Sequence, residues 1–337
     1  MIKIGINGFG RIGRLAARII SQAYPQQLSL VCINTSGRLD TAGWSHLFKH
    51  DSVYGRYPGQ VGVKADKLIV ADQSIPVLGK KEPAKIPWSN YGTQVVIEST
   101  GVFRTREAVA QHLGGSVQKV VLAAPPKDEQ ISMYVLGVNE KKLAGEQIIS
   151  CASCTTNCVA PIVKVIDENF GIVKSLMTTI HAYTTSQELL DGSHQDLRRA
   201  RAAAINLIPT STGAARATEK IYPKIKEKFD GLAIRAPIAI GSLADFTLVV
   251  KEKTKPAEIN GVLEKAAAGE LKGIVGVTRE PLVSSDIIGS KLSALVDLSL
   301  TKVVAGDLVK LVAWYDNEWG YANRLVEEVV MVGESLE

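Results

Sequence analysis

Apolar positions follow two different rhythms along the chain. In the first half they form short continuous runs: "IKIGI" at 2–6, "LSLVCIN" at 28–34, "QVVIEST" at 94–100 and "KVVLAAP" at 119–125. Between the first two, Ile12, Leu15, Ala16, Ile19 and Ile20 recur on one helical face, which predicts a helix over 11–23. A second helical pattern runs from Arg104 to about His112. Continuous apolar strands separated by helices predict a parallel sheet covered on both faces.

Near residue 150 the rhythm changes. The runs "KSLMTTIHAYT", "GLAIRAPIAIGSLADFTLVV", "LSALVDLSL" and "LVKLVAWYD" are longer and alternate, as half-buried antiparallel strands do. Leu325, Val326, Val329 and Val330 then predict a last amphipathic helix. The fold class that follows is α/β, a Rossmann-type parallel-sheet domain plus an α+β domain with a mostly antiparallel sheet.

Length and composition narrow the class. The 337 residues are enough for two domains, with 46% hydrophobic and 22% charged residues, as in globular proteins. The net charge is +5, but basic and acidic residues alternate, so a nucleic-acid tail is not indicated; phosphorylated ligands suit the mild basicity better. No apolar run approaches the roughly 18 residues of a membrane span. "MIKIGING" enters a strand at once, leaving no room for a signal peptide. Of the four cysteines, Cys151, Cys154 and Cys158 cluster within eight positions, a local chemical group rather than a disulfide framework. A reducing cytoplasm is the expected compartment.

Three patterns carry chemistry. The first is Gly8, Gly10 and Gly13 in "INGFGRIGR", a G-x-G-x-x-G that follows a strand and opens a helix. Gly8 allows the tight turn, Gly10 lets backbone approach a pyrophosphate, and Gly13 lets helix and strand pack closely. The helix N-terminus then offers N–H groups to the anion. Where such proteins place an acid for the ribose of NAD, this chain has "NTSGR": Asn34, Thr35, Ser36, Gly37 and Arg38. A carboxylate there would repel a 2′-phosphate. Thr35 removes it, Thr35 and Ser36 supply hydroxyls, and Arg38 can pair with phosphate oxygens, so the pattern predicts acceptance of NADP in preference to NAD or beside it.

The second pattern is "SCTTNC" at 153–158. Ser153 is a helix N-cap, and Val159, Ile162, Val163 and Ile166 follow at helical spacing. Cys154 then falls in a first turn, where the helix dipole lowers a thiol pKa. Pro161 inside the pattern predicts a kink or a later helix start. His181, in a run of threonines, is the candidate base for this thiol. Elsewhere, His46 and His50 stand four apart without companion ligands, and Cys151-x-x-Cys154 lacks a second pair, so no metal is expected. The third pattern is basic and hydroxylic: Arg198, Arg199 and Arg201, then Thr212 and Gly213, then Arg235, the residue types of phosphate recognition.

Together "INGFGRIGR", "ESTGVF", "APPKDE", "ASCTTNC", "HAYT", "RRARAAA", "STGAA", "RAP" and "WYDNEWGY" occur in an order in which the chain resembles the phosphorylating glyceraldehyde-3-phosphate dehydrogenase family over essentially its full length. The resemblance implies a dinucleotide-binding domain over 1–152 and 318–337, with the C-terminal helix returning to it, and a catalytic domain over 153–317. It implies that Cys154 adds to the aldehyde carbon, that His181 handles the proton, and that hydride passes to NADP or NAD. The resulting thioester is then cleaved by inorganic phosphate. It further implies that the Cys154 N–H and His181 stabilise the oxyanion. Thr184, Arg199 and Arg235 would hold the substrate's phosphate; Ser153, Thr155, Thr212 and Gly213 would hold the attacking one. Arg11 and Ile12 would give N–H groups to the pyrophosphate, Thr100 and Gly101 would border the cofactor, and Asn317 would fix the nicotinamide carboxamide. The family is a homotetramer in which the segment near 184–206 reaches a neighbour's cofactor site.

Three features depart from the family. Cys151 stands for a usual Asn, Thr35 for a common Asp, and Gly192-Ser193 for a Leu-Pro pair of NAD-specific members. The last opens space and adds the Ser193 hydroxyl near the 2′ position, agreeing with "NTSGR" on NADP. Two alternatives stand beside the leading reading. A relative acting on erythrose 4-phosphate with water is disfavoured by the full phosphate set. A nucleic-acid-binding or regulatory protein on the same fold is disfavoured because nucleophile and base are both present.

Overall fold

The short apolar runs of the first half become the centre of a nine-stranded sheet in a computed structural model that describes residues 1–336. Its parallel core contains β1 (Ile2–Asn7), β2 (Leu28–Asn34), β3 (Gln73–Leu78), β4 (Val95–Glu98), β5 (Lys119–Leu122) and β6 (Ile148–Ser150). They lie in the order β6-β5-β4-β1-β2-β3. The chain therefore builds outward from β1 in both directions. The loops after β1 and β4 diverge at that reversal, which is where open α/β sheets bind ligands.

The helix expected over 11–23 is α1 (Arg11–Ala23), which buries Leu15, Ala16, Ile19 and Ile20. A helix that the sequence reading left out, α2 (Thr41–Lys49), is capped by Asp40, whose Oδ1 accepts from Gly43 N at 2.8 Å. The pattern expected from Arg104 to His112 is shorter, α3 (Arg106–Ala110): Thr105 caps it late, and Val109 alone of its residues is buried.

The longer alternating runs form an eight-stranded sheet. Its main path is β8-β9-β7-β10-β13-β12-β11, from β7 (Ile172–Ala182), β8 (Ile208–Ser211), β9 (Phe229–Ala236), β10 (Ser242–Val250), β11 (Val275–Thr278), β12 (Ala294–Asp297) and β13 (Leu308–Tyr315). The pairs β7/β9 and β11/β12 are parallel and the others on this path antiparallel. The run "GLAIRAPIAIGSLADFTLVV" is two strands rather than one, parted by the turn from Pro237 to Gly241.

Three helices belong to this sheet: α4 (Cys154–Phe170), α5 (Ala214–Ile221) and α6 (Pro256–Ala268). Val159, Ile162, Val163 and Ile166 of α4 share one core with Phe246, Leu248, Val309 and Leu311. α4 does not start late at Pro161; it begins at Cys154 and runs without a break to Phe170. Each of those buried aliphatics contributes about 1.5–3 kcal/mol, which together outweigh the roughly 3 kcal/mol cost of an interior proline.

Two compact units result. One holds Met1–Tyr134, Lys141–Ala152 and the residues from Ala322 on; the other holds Val135–Glu140 and Ser153–Tyr321. The last helix, α7 (Trp319–Glu334), supplies Leu325, Val326 and Val329 as buried residues. Its Gly333 lies so near Ile2 that a Cβ would sit 2.3 Å from the Ile2 side chain. Among the described residues no helix is long and apolar enough to cross a membrane, and no group of three His, Cys, Asp or Glu side chains could hold a metal.

Candidate active site

The first unit presents a cavity of about 700 Å³ at the C-terminal ends of its parallel strands, bordered by the β1–α1 turn, "NTSGR" and Ser99–Thr100. Gly8 has φ +96°, and a Cβ there would stand 2.6 Å from Thr100 N. A Cβ on Gly13 would fall 2.0 Å from the Gly8 carbonyl, so helix and turn pack as the motif requires. A Cβ on Gly10 would meet nothing within 4 Å, which leaves the approach to α1 open. α1 has no side-chain N-cap and no acid in its first turn. Its end therefore suits an anion, and the residues fit a dinucleotide. The Arg11 side chain is engaged by Asp51 at 2.6 Å and stacks over Tyr54, so its contribution to the turn is its backbone.

The floor of this cavity is a buried polar network. Asn7, Asn34 and Glu98 end β1, β2 and β4. Asn34 Nδ2 donates to Asn7 Oδ1 at 2.7 Å, and Asn7 Nδ2 donates to Glu98 Oε2 at 2.5 Å. Glu98 also accepts from the Thr100 N–H and hydroxyl. Trp88 Nε1 donates to His112 Nδ1 at 3.1 Å, which places the imidazole proton on Nε2, 3.0 Å from Glu98 Oε2. Every member is satisfied, so the three strand ends are fixed. The sequence reading found Asn34 and Thr100 but missed Glu98, His112 and Trp88, whose residue types carry no pattern of their own.

"NTSGR" departs from expectation at one residue. Thr35 is buried, and its hydroxyl donates to the Leu78 carbonyl at 2.9 Å while accepting from Gly37 N. Its proton is thus committed to shaping the loop rather than offered to a ligand. Ser36 and Arg38 are exposed. The structure adds Lys80 and Lys81, which border the same cavity because Asn34 hydrogen-bonds both the N–H and the carbonyl of Lys80. The sequence reading did not single out that pair; the β2–β3 pairing brings it beside Asn34.

In the second unit, Ser153 caps α4, its Oγ accepting from Thr156 N at 3.1 Å, and Cys154 is the first helical residue. Cys154 Sγ lies 3.5 Å from His181 Nε2 and 4.0 Å from Thr155 Oγ1. β7 and β9 place His181 directly opposite Arg235. His181 Nδ1 lies 2.7 Å from the Ala182 carbonyl and 2.8 Å from Arg235 Nη1. The carbonyl needs a proton on Nδ1 and the guanidinium needs a lone pair, so the two neighbours favour opposite tautomers. With the proton on Nδ1, Nε2 offers its lone pair to the thiol.

The electrostatics correct one expectation. Burial pushes the Cys154 thiol up rather than down, with Arg235 and then Thr155 opposing. Burial, with Arg235 adding to it, pushes His181 down to about 3. The helix dipole is present, but the desolvation that comes with the core around α4 is larger. The resting pair is thus a thiol beside a neutral imidazole, a nucleophile and its base.

The basic and hydroxylic residues converge in part. Arg235 Nε is buried without a partner, and the guanidinium feels both the thiol and the like charge of Arg199. Two cations with a buried free donor point to an anion. Arg199 Nε donates to Thr210 Oγ1 at 2.9 Å, with Asp196 at 3.5 Å. Thr212 Oγ1 accepts from Ala214 N, and Gly213 caps α5 without a side chain. Thr184 exchanges a hydrogen bond with Ser186. Asn317 is buried, and Ser242 Oγ and Gly241 N both donate to its Oδ1, which leaves its amide nitrogen as the remaining donor. Gly192 and Ser193 are exposed on the segment between β7 and β8. One residue of this unit escaped the sequence reading. Tyr315, at the end of β13, places its hydroxyl 2.9 Å from Thr155 Oγ1, yet in sequence it is one aromatic on an alternating strand.

Residues 2–106 match the family model described as glyceraldehyde 3-phosphate dehydrogenase, NAD binding domain, and residues 153–317 match its C-terminal domain. The chain is 49% identical over 337 residues to glyceraldehyde-3-phosphate dehydrogenase 2 of Streptomyces avermitilis, covering 99% of each. It is 49% identical over 338 residues to the Streptomyces coelicolor protein of the same name, again covering 99% of each. It is 49% identical over 333 residues to the Thermotoga maritima one, covering 98% of this chain and 99% of that protein.

Proposed function

Because the chain belongs to the glyceraldehyde 3-phosphate dehydrogenase family, we propose that it converts glyceraldehyde 3-phosphate and inorganic phosphate to 1,3-bisphosphoglycerate, reversibly, with a nicotinamide dinucleotide. The observation that carries this reading is Cys154 Sγ at 3.5 Å from His181 Nε2, beside an Arg235 whose buried Nε has no partner.

Each residue then has a task. The substrate's phosphate engages Arg199, Arg235 and Thr184. Drawing Arg235 onto the anion leaves the Ala182 carbonyl to hold the Nδ1 proton of His181. Nε2 then removes the thiol proton as sulfur adds to the aldehyde carbon. The Cys154 N–H and the imidazolium stabilise the alkoxide. His181 handles the hydroxyl proton as the thiohemiacetal becomes a thioester on Cys154. When bound, the nicotinamide supplies the hydride acceptor. Ser153, Thr155, Thr212 and Gly213 orient inorganic phosphate, whose oxygen attacks the thioester carbon and expels the thiolate of Cys154.

The cofactor is held by the Gly8–Gly13 turn with the Arg11 and Ile12 N–H groups, by Asn34 and Thr100–Gly101, and by Asn317. The 2′-phosphate of NADP is read by Ser36 and Arg38 with Lys80 and Lys81, and by Ser193 of a neighbouring subunit in a homotetramer. Exposed Leu189, Leu190, Leu197, Ile205 and Leu207, each 68–80% accessible, suit that assembly.

The direct test follows reduced cofactor with and without phosphate. Turnover is expected to require phosphate, and Cys154→Ser to abolish it. Oxidation by Cys154→Ser at near the native rate would sink the thioester route.

A further inference from the structure

We propose that Tyr315 is a positioning residue that decides, through a chain of three hydroxyls, whether Thr155 presents a proton or a lone pair to the attacking phosphate. The inference rests on the reading above that Thr155 meets this phosphate. Tyr315 is 1% exposed, and its hydroxyl lies 2.9 Å from Thr155 Oγ1 and 2.8 Å from Thr179 Oγ1. Thr179 Oγ1 in turn lies 3.2 Å from the Leu243 carbonyl. The first two spacings are those of ordinary O–H···O hydrogen bonds.

Each hydroxyl owns one proton, and the carbonyl at the far end only accepts. The chain therefore has two states. In one, Thr179 donates to Leu243, Tyr315 to Thr179 and Thr155 to Tyr315, so Thr155 turns a lone pair to the site. In the other, Thr179 donates to Tyr315 and Tyr315 to Thr155, and the Thr155 proton is free for another acceptor. An inorganic phosphate oxyanion needs the second state. Changing between them rotates three hydroxyls and breaks no covalent bond. Sulfur is the competing acceptor: Cys154 Sγ lies 4.0 Å from Thr155 Oγ1, at the limit for a sulfur hydrogen bond. Acylation ties that sulfur into a thioester, where it is a poorer acceptor than in the free thiol, so the Thr155 proton passes to phosphate when phosphate is needed.

The phenol oxygen can be removed without disturbing the base. The Tyr315 ring meets His181 edge-on, with centroids 6.0 Å apart, and phenylalanine keeps that contact. Tyr315→Phe is expected to raise KM for inorganic phosphate about fivefold, the scale of one lost neutral hydrogen bond. The first-turnover burst of reduced cofactor without phosphate stays within about twofold of native. Thr179→Val leaves the Tyr315 proton only Thr155 to go to, so it favours the second state and is expected to lower KM for phosphate, while the double variant follows Tyr315→Phe, because Thr179 acts only through the phenol. An unshifted phosphate KM in both variants, or a burst that falls as far as the phosphate step, would overturn the chain. Wild-type turnover indifferent to phosphate would overturn the functional reading and this inference with it; phosphate-dependent wild type with unshifted variants overturns this inference alone.

Discussion

The Cys154 proton is held by opposing influences, and Arg235 is the one that can be removed singly. Burial keeps the thiol protonated, while the Arg235 charge pulls its pKa down and also pushes the His181 imidazolium down. The two signs are opposite because the thiol gains a negative charge on ionising and the imidazole a positive one. Arg235→Leu should therefore raise the Cys154 pKa and move the alkylation of Cys154 by iodoacetamide toward alkaline pH. The pH profile of the alkylation rate checks it, and a profile that stays put or moves to acid would contradict the geometry. At this scale the sequence was legible where a residue type is rare and its chemistry narrow, as for Cys154, His181 and Arg235. It was silent on Tyr315 and Glu98, which act by touching other protein groups. It was misleading on the Thr35 hydroxyl, whose partner Leu78 is brought to it by strand pairing.

Among elements, the turn between β1 and α1 separates packing from binding within six residues. Gly13 faces backbone: its added Cβ would lie 2.0 Å from the Gly8 carbonyl, and neither β1 nor α1 can yield, since both are buried. Gly13→Ala should cost about 1–3 kcal/mol of stability, the range for overpacking, seen as a lower Tm without ligand. Gly10→Ala meets no protein atom within 4 Å, so its Tm should be near native while its dinucleotide Kd rises. Full affinity in Gly10→Ala would mean that the turn does not face the pyrophosphate. α1 was readable from its apolar period and α4 from its cap. The turn within the β9–β10 run was hidden because both of its arms are apolar, and Pro161 was overridden by the packing of α4.

For the whole molecule, the proposed cofactor choice would join residues of two origins: "NTSGR" with Lys80 and Lys81 from one chain, and Ser193 from another in the proposed tetramer. NADP is expected to give the higher kcat/KM. Arg38→Ala should lower kcat/KM for NADP about tenfold, the effect of losing a charged hydrogen bond of roughly 1.5–3 kcal/mol, and leave NAD nearly unchanged. Equal losses for both cofactors, or strong native preference for NAD, would show that this loop does not read the 2′-phosphate. That the chain carries a dinucleotide fold was plain from its alternating runs and glycines. The Lys80–Lys81 pair was not, because charge near a surface turn acquires meaning only when a strand 46 residues earlier is laid beside it.

The distances along the chain between partners also set a timetable. His181 follows Cys154 by 27 residues, Arg235 follows His181 by 54, and Tyr315 follows Thr155 by 160. At a synthesis rate of about 5–20 residues per second, Tyr315 is added roughly 8–30 s after Thr155. Through that interval the nucleophile has left the peptidyl-transferase centre while the strands that surround it do not yet exist. Cys154 spends its early life as an ordinary cysteine, and its pairing with His181, Arg235 and the hydroxyls around it waits for strands that are made later.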